Sequence, residues 1–270
     1  MIRLLVTTFV VLAFWCPPAK AQASPDLTGV EEGGAKKWLS HYTEAGFILN
    51  SFSISHTVQI SPQGDLDKTG FLFEFLGGSG SDSYLKDGTT IDVTPWEAQV
   101  FIGYRWIVEK KYTFDLFGGW DYLDYALSHP DPTNEVRGAR NGFKIESELE
   151  AADERKLYYD FYGEYSTNFN TYDGHVRLGP RFNKVVVGAE VSFLGDISFA
   201  SQRVGGFTKF PIKFSKNFEP NFIVVTGFSW LDSSSSGSKG GGSPGPTSTF
   251  APGAGSGNGV YTVVGMGFSF

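Results

Sequence analysis

The stretch WEAQVFIGYRW, Trp96 to Trp106, is two sequences interleaved. One consists of Trp96, Ala98, Val100, Ile102, Tyr104 and Trp106, and the other of Glu97, Gln99, Phe101, Gly103 and Arg105. Successive side chains of an extended chain point to opposite faces, so the alternation predicts a strand with one apolar face, aromatic at both ends, and one mixed polar face. The pattern recurs nearby. Tyr112, Phe114, Leu116, Gly118, Trp120 and Tyr122 oppose Thr113, Asp115, Phe117, Gly119 and Asp121. Further on, Val185, Val187, Ala189, Val191 and Phe193 oppose Val186, Gly188, Glu190 and Ser192. Two architectures produce such faces. A soluble sandwich buries the apolar face, whereas an outer-membrane barrel turns it to lipid and keeps the polar face for the lumen.

Composition points to strands throughout. The chain of 270 residues holds 25 Phe, 12 Tyr, 6 Trp and 34 Gly, and aromatic residues favour strands while glycine disfavours helix interiors. Stretches of alternating character separated by turns predict twelve strands, at 39–49, 52–60, 70–78, 96–107, 112–124, 138–150, 156–168, 171–181, 184–194, 203–213, 221–231 and 259–270. Ten or fourteen strands are the alternatives. No segment carries an apolar stripe of helical period.

Three features favour the barrel. Tyr and Trp gather near strand ends, as in Trp96, Trp106, Trp120, Tyr122 and Trp230, which suits interfacial girdles. A closed sheet leaves no unpaired edge in hydrocarbon, so the last strand must pair with the first. The alternation through GVYTVVGMGFSF (Gly259–Phe270) suits such a closing strand, with Phe268 and Phe270 as an assembly signal read by the outer-membrane assembly machinery. Connections also alternate in length. Those after the even-numbered strands are about 9, 4, 5, 2 and 7 residues, whereas those after strands 3, 5, 9 and 11 are about 17, 13, 8 and 27. The predicted fold is therefore all-β: a single antiparallel up-and-down transmembrane β-barrel spanning residues 38–270.

Residues 1–23 read as a cleaved signal peptide, with Arg3 ahead of an apolar run from Leu4 to Trp15 and small residues at Ala19, Ala21 and Ala23. Residues 24–37 read as a flexible tail. Cleavage removes Cys16, the only cysteine, and leaves 20 basic against 29 acidic residues. An exported acidic chain without thiols has no disulfide framework and is poorly suited to nucleic acid. Localisation in the bacterial outer membrane follows, with outer-membrane lipid as the first partner. The Ser/Gly/Pro-rich segment 232–259 predicts a disordered external loop, because it cannot bury enough apolar surface to offset its chain entropy.

The chemistry-bearing residues are sparse in pattern. His41, His56, His129 and His175 show no metal spacing, no phosphate loop or G-x-S-x-G is present, and no cofactor is expected. Ser128-His129 would make a poor catalytic dyad as strand neighbours. Asp115 with Glu190 could serve as a glycosidase carboxylate pair, a signal of almost no specificity. A more coherent set is the charged inward face: Glu74, Arg105, Asp115, Asp121, Lys144, Glu146, Glu148, Glu164, His175, Arg177 and Glu190. In a small barrel such charges pair across the interior, so a largely plugged lumen is favoured over an open pore. The stretch SHPDPTNEVRGARNGFK (Ser128–Lys144) predicts an ordered loop at the mouth. His129, Asp131, Asn134 and Arg137 are its candidate recognition residues.

At this stretch the chain resembles the BcsS cellulose biosynthesis proteins of alphaproteobacteria. The likeness rests on GDLDKTGFLFEFLGG (Gly64–Gly78), HPDPTNEVRGARNGFK (His129–Lys144), YSTNFNTYDGHVRLGPRF (Tyr165–Phe182), VVVGAEVSFLGDISFASQRVGGF (Val185–Phe207) and the closing GVYTVVGMGFSF. The long insertion before the last strand departs from the pattern. The resemblance implies a non-enzymatic outer-membrane barrel, accessory to cellulose (exopolysaccharide) biosynthesis, secretion or surface attachment. Its partners would be cellulose or other cellulose-synthesis components, and no catalytic residues come with it. A small general porin and a lipid- or glycan-modifying enzyme are the alternatives.

Overall fold

The computed structural model describes residues 36–48, 51–109, 111–151, 156–197, 200–215, 218–231 and 258–270. The expected signal peptide, the tail as far as residue 35 and the insertion at 232–257 lie outside the described residues. Lys37, at the end of the expected tail, accepts a hydrogen bond on its carbonyl from the Leu66 N–H at 2.6 Å.

Twelve strands follow one another: β1 (Leu39–Ile48), β2 (Ser51–Ile60), β3 (Gly70–Lys86), β4 (Thr89–Val108), β5 (Tyr112–Leu127), β6 (Gly138–Ala151), β7 (Leu157–Ser166), β8 (Tyr172–Phe182), β9 (Val185–Gly195), β10 (Ala200–Pro211), β11 (Asn221–Leu231) and β12 (Gly259–Ser269). Each pairs antiparallel with its sequence neighbours, and β12 returns to β1 in the register Ser40↔Ser269 through Ile48↔Tyr261, closing the barrel. Phe270 extends the seam: its N–H donates to Leu39 at 2.8 Å and its carbonyl accepts from Trp38 at 2.6 Å. Strand ends fall within three residues of the sequence reading at ten of the twelve strands.

The exceptions are β3 and β4. The expected 17-residue loop between them is a continuation of both strands, paired from Asp82↔Val93 to Lys86↔Thr89. Asp87 (φ 50°) and Gly88 (φ 82°) make the turn, and left-handed backbone at both central positions is the geometry whose twist matches a two-residue hairpin. The Asp-Gly pair between alternating residues is the signal that the loop reading passed over.

The faces are inside out relative to a soluble protein. Val100 (44% exposed), Ile102 (54%) and Trp106 (38%) point outward, while Glu97, Gln99 and Phe101 on the same strand are 3% exposed or less. The outward aromatics form two belts. One belt holds Phe71, Tyr104, Trp106, Phe114, Tyr112 and Tyr159, with tilted or edge-on ring pairs 4.7–5.9 Å apart, near the end that carries both strand termini of the seam. The other includes Phe47, Phe52, Trp96 and Tyr122. Trp96 and Trp106 lie ten residues apart, about 33 Å along a strand. At the usual tilt that is about 25 Å of height, the thickness of an outer-membrane apolar band. We call the end near the seam termini the turn end and the opposite one the loop end.

Inside, three apolar clusters fill parts of the lumen. Leu66 from the β2–β3 turn joins Leu72, Phe101 and Phe117 near the turn end. Gly103 makes this possible, since a Cβ there would sit 2.2 Å from the Phe117 ring. Ile48, Tyr158, Val186, Phe207, Ile223, Val225, Tyr261 and Val263 line the wall from β7 round to β1. Tyr84, Ile91, Val93, Leu123, Tyr125, Val136 and Phe169 form the third cluster, at the loop end. Tyr84, Ile91 and Val93 come from the β3–β4 extension, which rises beyond the Trp96 belt and bends over the mouth.

Candidate functional site

Period-2 alternation puts every second residue of each strand into the lumen, and the polar ones meet there. Arg105 on β4 holds Asp115 on β5 by two hydrogen bonds, Nε to Oδ1 at 2.8 Å and Nη2 to Oδ2 at 2.5 Å. Its Nη1 reaches the Leu66 carbonyl at 3.2 Å, so the same guanidinium ties down the turn that fills the lumen. Gln59 donates to Glu74 at 2.8 Å. Lys144 pairs with Glu164 at 2.7 Å, and Tyr162 donates to the same carboxylate at 2.6 Å. Arg177 bridges Glu190 (2.6 Å) and Asp160 (3.2 Å), with His175 3.1 Å from Asp160 and Tyr261 donating to Glu190 at 3.1 Å. Asp121 accepts from Ser166 and, at 3.1 Å, from Asn168. Such buried pairs gain little net energy over an apolar filling, but removing one partner leaves an uncompensated charge at a cost of several kcal/mol.

All the inward candidates thus face the interior. Glu74, Arg105, Lys144, Glu146, Glu148, Glu164, His175, Arg177 and Glu190 line one cavity of about 900 Å³, while Asp115 and Asp121 stand behind it in their own bonds. The structure does not bring Asp115 and Glu190 together: they sit on β5 and β9, each engaged by its own arginine. The inward set also includes Glu44, Glu97, Asp160, Asp173, Arg203 and Lys209, which sequence reasoning did not single out. Their signal was available, since each shares a strand face with residues already chosen: Asp160 and Glu164 are four apart on β7, Asp173, His175 and Arg177 two apart on β8. Which strands face each other across the lumen, as Lys209 on β10 faces Glu150 on β6, depends on closure and was not legible.

The cavity reaches the turn end, where Lys37, Asn183, Lys184, Phe218, Glu219 and Phe268 form its rim. Towards the loop end its lining runs to Asp173, Ser192 and Arg203 on β8 to β10, and on the β3 to β7 side it gives way to the apolar cluster. There the apolar cluster is capped by residues 128–137. Asp131, 5% exposed, takes Lys86 and Thr133 on one oxygen and Tyr84 on the other, at 2.9 Å. Asn134 donates to the Tyr84 hydroxyl at 3.2 Å and accepts from the Val136 N–H at 2.9 Å, seating Val136 in the cluster. Arg137 donates to the Asp131 carbonyl. Burial pushes the Asp131 carboxyl up, but the hydrogen bonds from Lys86, Thr133 and Tyr84 outweigh it and hold it well below the usual carboxylate range.

His129 is exposed at the edge of this loop. Its Nδ1 lies 3.1 Å from Ser128 Oγ, so the loop does bring the two together. The Ser128 hydroxyl also accepts from the Asp92 N–H at 2.9 Å, and its own N–H donates to the Asp92 carbonyl at 2.9 Å. Ser128 stitches the loop to β4, a structural use of the hydroxyl.

The sequence model of the family described as cellulose biosynthesis protein BcsS matches residues 42–270. The chain belongs to the BcsS family. Among curated proteins, none matches this BcsS family member. Its barrel is similar to several solved ones at low identity. The KdgM porin is 11% identical with a TM-score of 0.42, covering 86% of this chain and 99% of that one. The translocator domain of the autotransporter NalP from Neisseria meningitidis is 10% identical, TM-score 0.43, covering 89% and 90%. LpxR from Salmonella typhimurium is 8% identical, TM-score 0.44, covering 86% and 100%. Family membership and an inside-out twelve-strand barrel together place this BcsS protein in the outer membrane and in cellulose biosynthesis.

Proposed function

We propose that this barrel is a non-enzymatic accessory of bacterial cellulose production, one that docks polymer or synthesis components at the outer membrane and does not conduct them. The observation that carries this reading is the apolar filling at the loop end. Seven buried apolar side chains and a loop fixed through Asp131 occupy the outer mouth on the β3 to β7 side, while the cavity opens at the turn end. The longest connection, between Leu231 and Gly259, and the extension of the longest strands, β3 and β4, lie at the loop end, which supports reading the turn end as the periplasmic side. A lumen narrowed on one side and charged within is suited to holding a ligand, and the outward apolar band supplies the contact with outer-membrane lipid.

The test is a deletion strain with dye-binding cellulose measured on cells and in medium. We expect less cellulose retained at the cell surface, restored by the wild-type gene. Unchanged surface cellulose overturns the reading.

A further inference from the structure

We infer that the lumen cavity is a binding site for the end of a neutral, hydroxyl-rich glycan chain, which enters from the turn end and stops beneath the loop-end plug. The inference rests on the docking role above and assigns it a place.

The β6 segment ESELE sends Glu146, Glu148 and Glu150 into the lumen as a ladder, two residues and about 6.7 Å apart. Glu150 is bound by Lys209. Among the described residues, no hydrogen-bond or ion-pair partner meets the carboxylates of Glu146 or Glu148. Glu146 is only 8% exposed, yet it lines the cavity. A buried carboxylate without donors is costly, so these positions call for donors supplied by an occupant.

The chemistry of that occupant follows from the walls. Among the described residues no three His, Cys, Asp or Glu side chains gather closely enough to hold a metal ion. The free carboxylates are strung along a strand, so the donors they meet must be spread along a chain. A polyamine would satisfy them but would also meet Arg177, Arg181, Arg203 and Lys209 on the facing wall. A polyacid would suit the arginines and meet the ladder. A hydroxyl both donates and accepts, so a polyol can serve carboxylates and guanidiniums in the same cross-section. Phe218 and Phe268, 5.4 Å apart at the rim, offer apolar surface where a sugar face would enter. The volume, about 900 Å³, has room for a short oligosaccharide and lies within the range of ordinary ligand pockets.

The experiment titrates the full detergent-solubilised barrel by calorimetry with cellohexaose, and in parallel with spermine and with an oligogalacturonate. Cellohexaose should bind, and the double substitution Glu146→Ala/Glu148→Ala should weaken it tenfold or more. Heat-modifiable gel migration reports whether that variant folds; if it does not, Glu146→Gln/Glu148→Gln preserves volume and should weaken binding at least severalfold. No binding of cellohexaose, binding of spermine or oligogalacturonate in its place, or cellohexaose binding unaffected by the substitutions overturns the inference. Complementation separates the two claims. If the wild-type gene restores surface cellulose while the barrel ignores cellohexaose, the lumen site falls and the accessory role stands. If the barrel binds cellohexaose and deletion leaves cellulose unchanged, the accessory role falls and the site stands.

Discussion

Asp131 concentrates the loop-end packing on one buried carboxylate, with Lys86 and Tyr84 of β3 and Thr133 of its own loop donating to it. Asp131→Asn removes the charge that Lys86 answers and weakens the acceptor, at a local cost of about 1–3 kcal/mol. Amide exchange at 131–136 should therefore speed up about ten- to a hundredfold, with strand amides of β7 to β12 unchanged; equal protection in wild type and variant would refute the assignment. The pH dependence has a definite sign. A carboxyl whose folded value lies below its unfolded value of about 3.9 contributes fully above pH 4, and its contribution is lost as pH falls through the folded value. The loop should stay shut from neutral pH down to about pH 4, and exchange in the wild type should rise only below that.

At the scale of the strand, the direction of each face can be tested by charge. Ile102 points outward midway between the two aromatic belts, so Ile102→Arg sets a guanidinium in hydrocarbon at a cost of about 2–4 kcal/mol. Guanidinium-induced unfolding in lipid vesicles should show that loss, and a variant as stable as wild type would contradict the inside-out arrangement. That arrangement was legible in the sequence because a strand's period is two: Glu97 and Gln99 against Ala98 and Val100 give the faces, and the belts give the solvent. The β3–β4 extension was misread because its polar residues, Ser81, Asp82, Ser83, Asp92 and Thr94, resemble a loop in composition. Only the inward Tyr84, Ile91 and Val93 and the Asp87-Gly88 turn disclose the pairing. A pair across the lumen such as Lys209 with Glu150 was illegible because it depends on where closure brings the strands, whereas Asp160 and Arg177 face each other on the neighbouring strands β7 and β8. The seam has its own prediction. Deleting Phe270 removes three backbone hydrogen bonds at one end of the β1–β12 ladder, one of them long at 3.4 Å and each contributing at most about 1 kcal/mol, so the assembled barrel should lose little stability. If Phe268 and Phe270 serve assembly, the outer-membrane level of the truncated protein should fall severalfold; normal levels would refute that role.

For the molecule as a whole, the plug and the cavity make opposing demands on transport, and conductance weighs one against the other. A cavity of about 900 Å³ lined by charged side chains would pass ions readily if it were continuous from end to end. It is narrowed at the loop end by Tyr84, Tyr125, Val136, Phe169 and their neighbours, and an apolar constriction excludes both water and ions. The intact barrel in planar bilayers should therefore show little or no stable current. Replacing residues 129–136 by a short Gly/Ser linker removes Asp131, Asn134 and Val136 together and exposes the top of the lumen, while the strand pairing of β5 with β6 from Tyr125↔Gly138 onward is untouched. Stable channels should then appear. The lumen has eleven carboxylates against eight lysine and arginine side chains along the cavity, so these channels should favour cations, as the reversal potential in a salt gradient will report. A large steady conductance from the wild-type protein would mean that the loop end is open in the membrane, and a passive pore would then account for the barrel better than a docking site does.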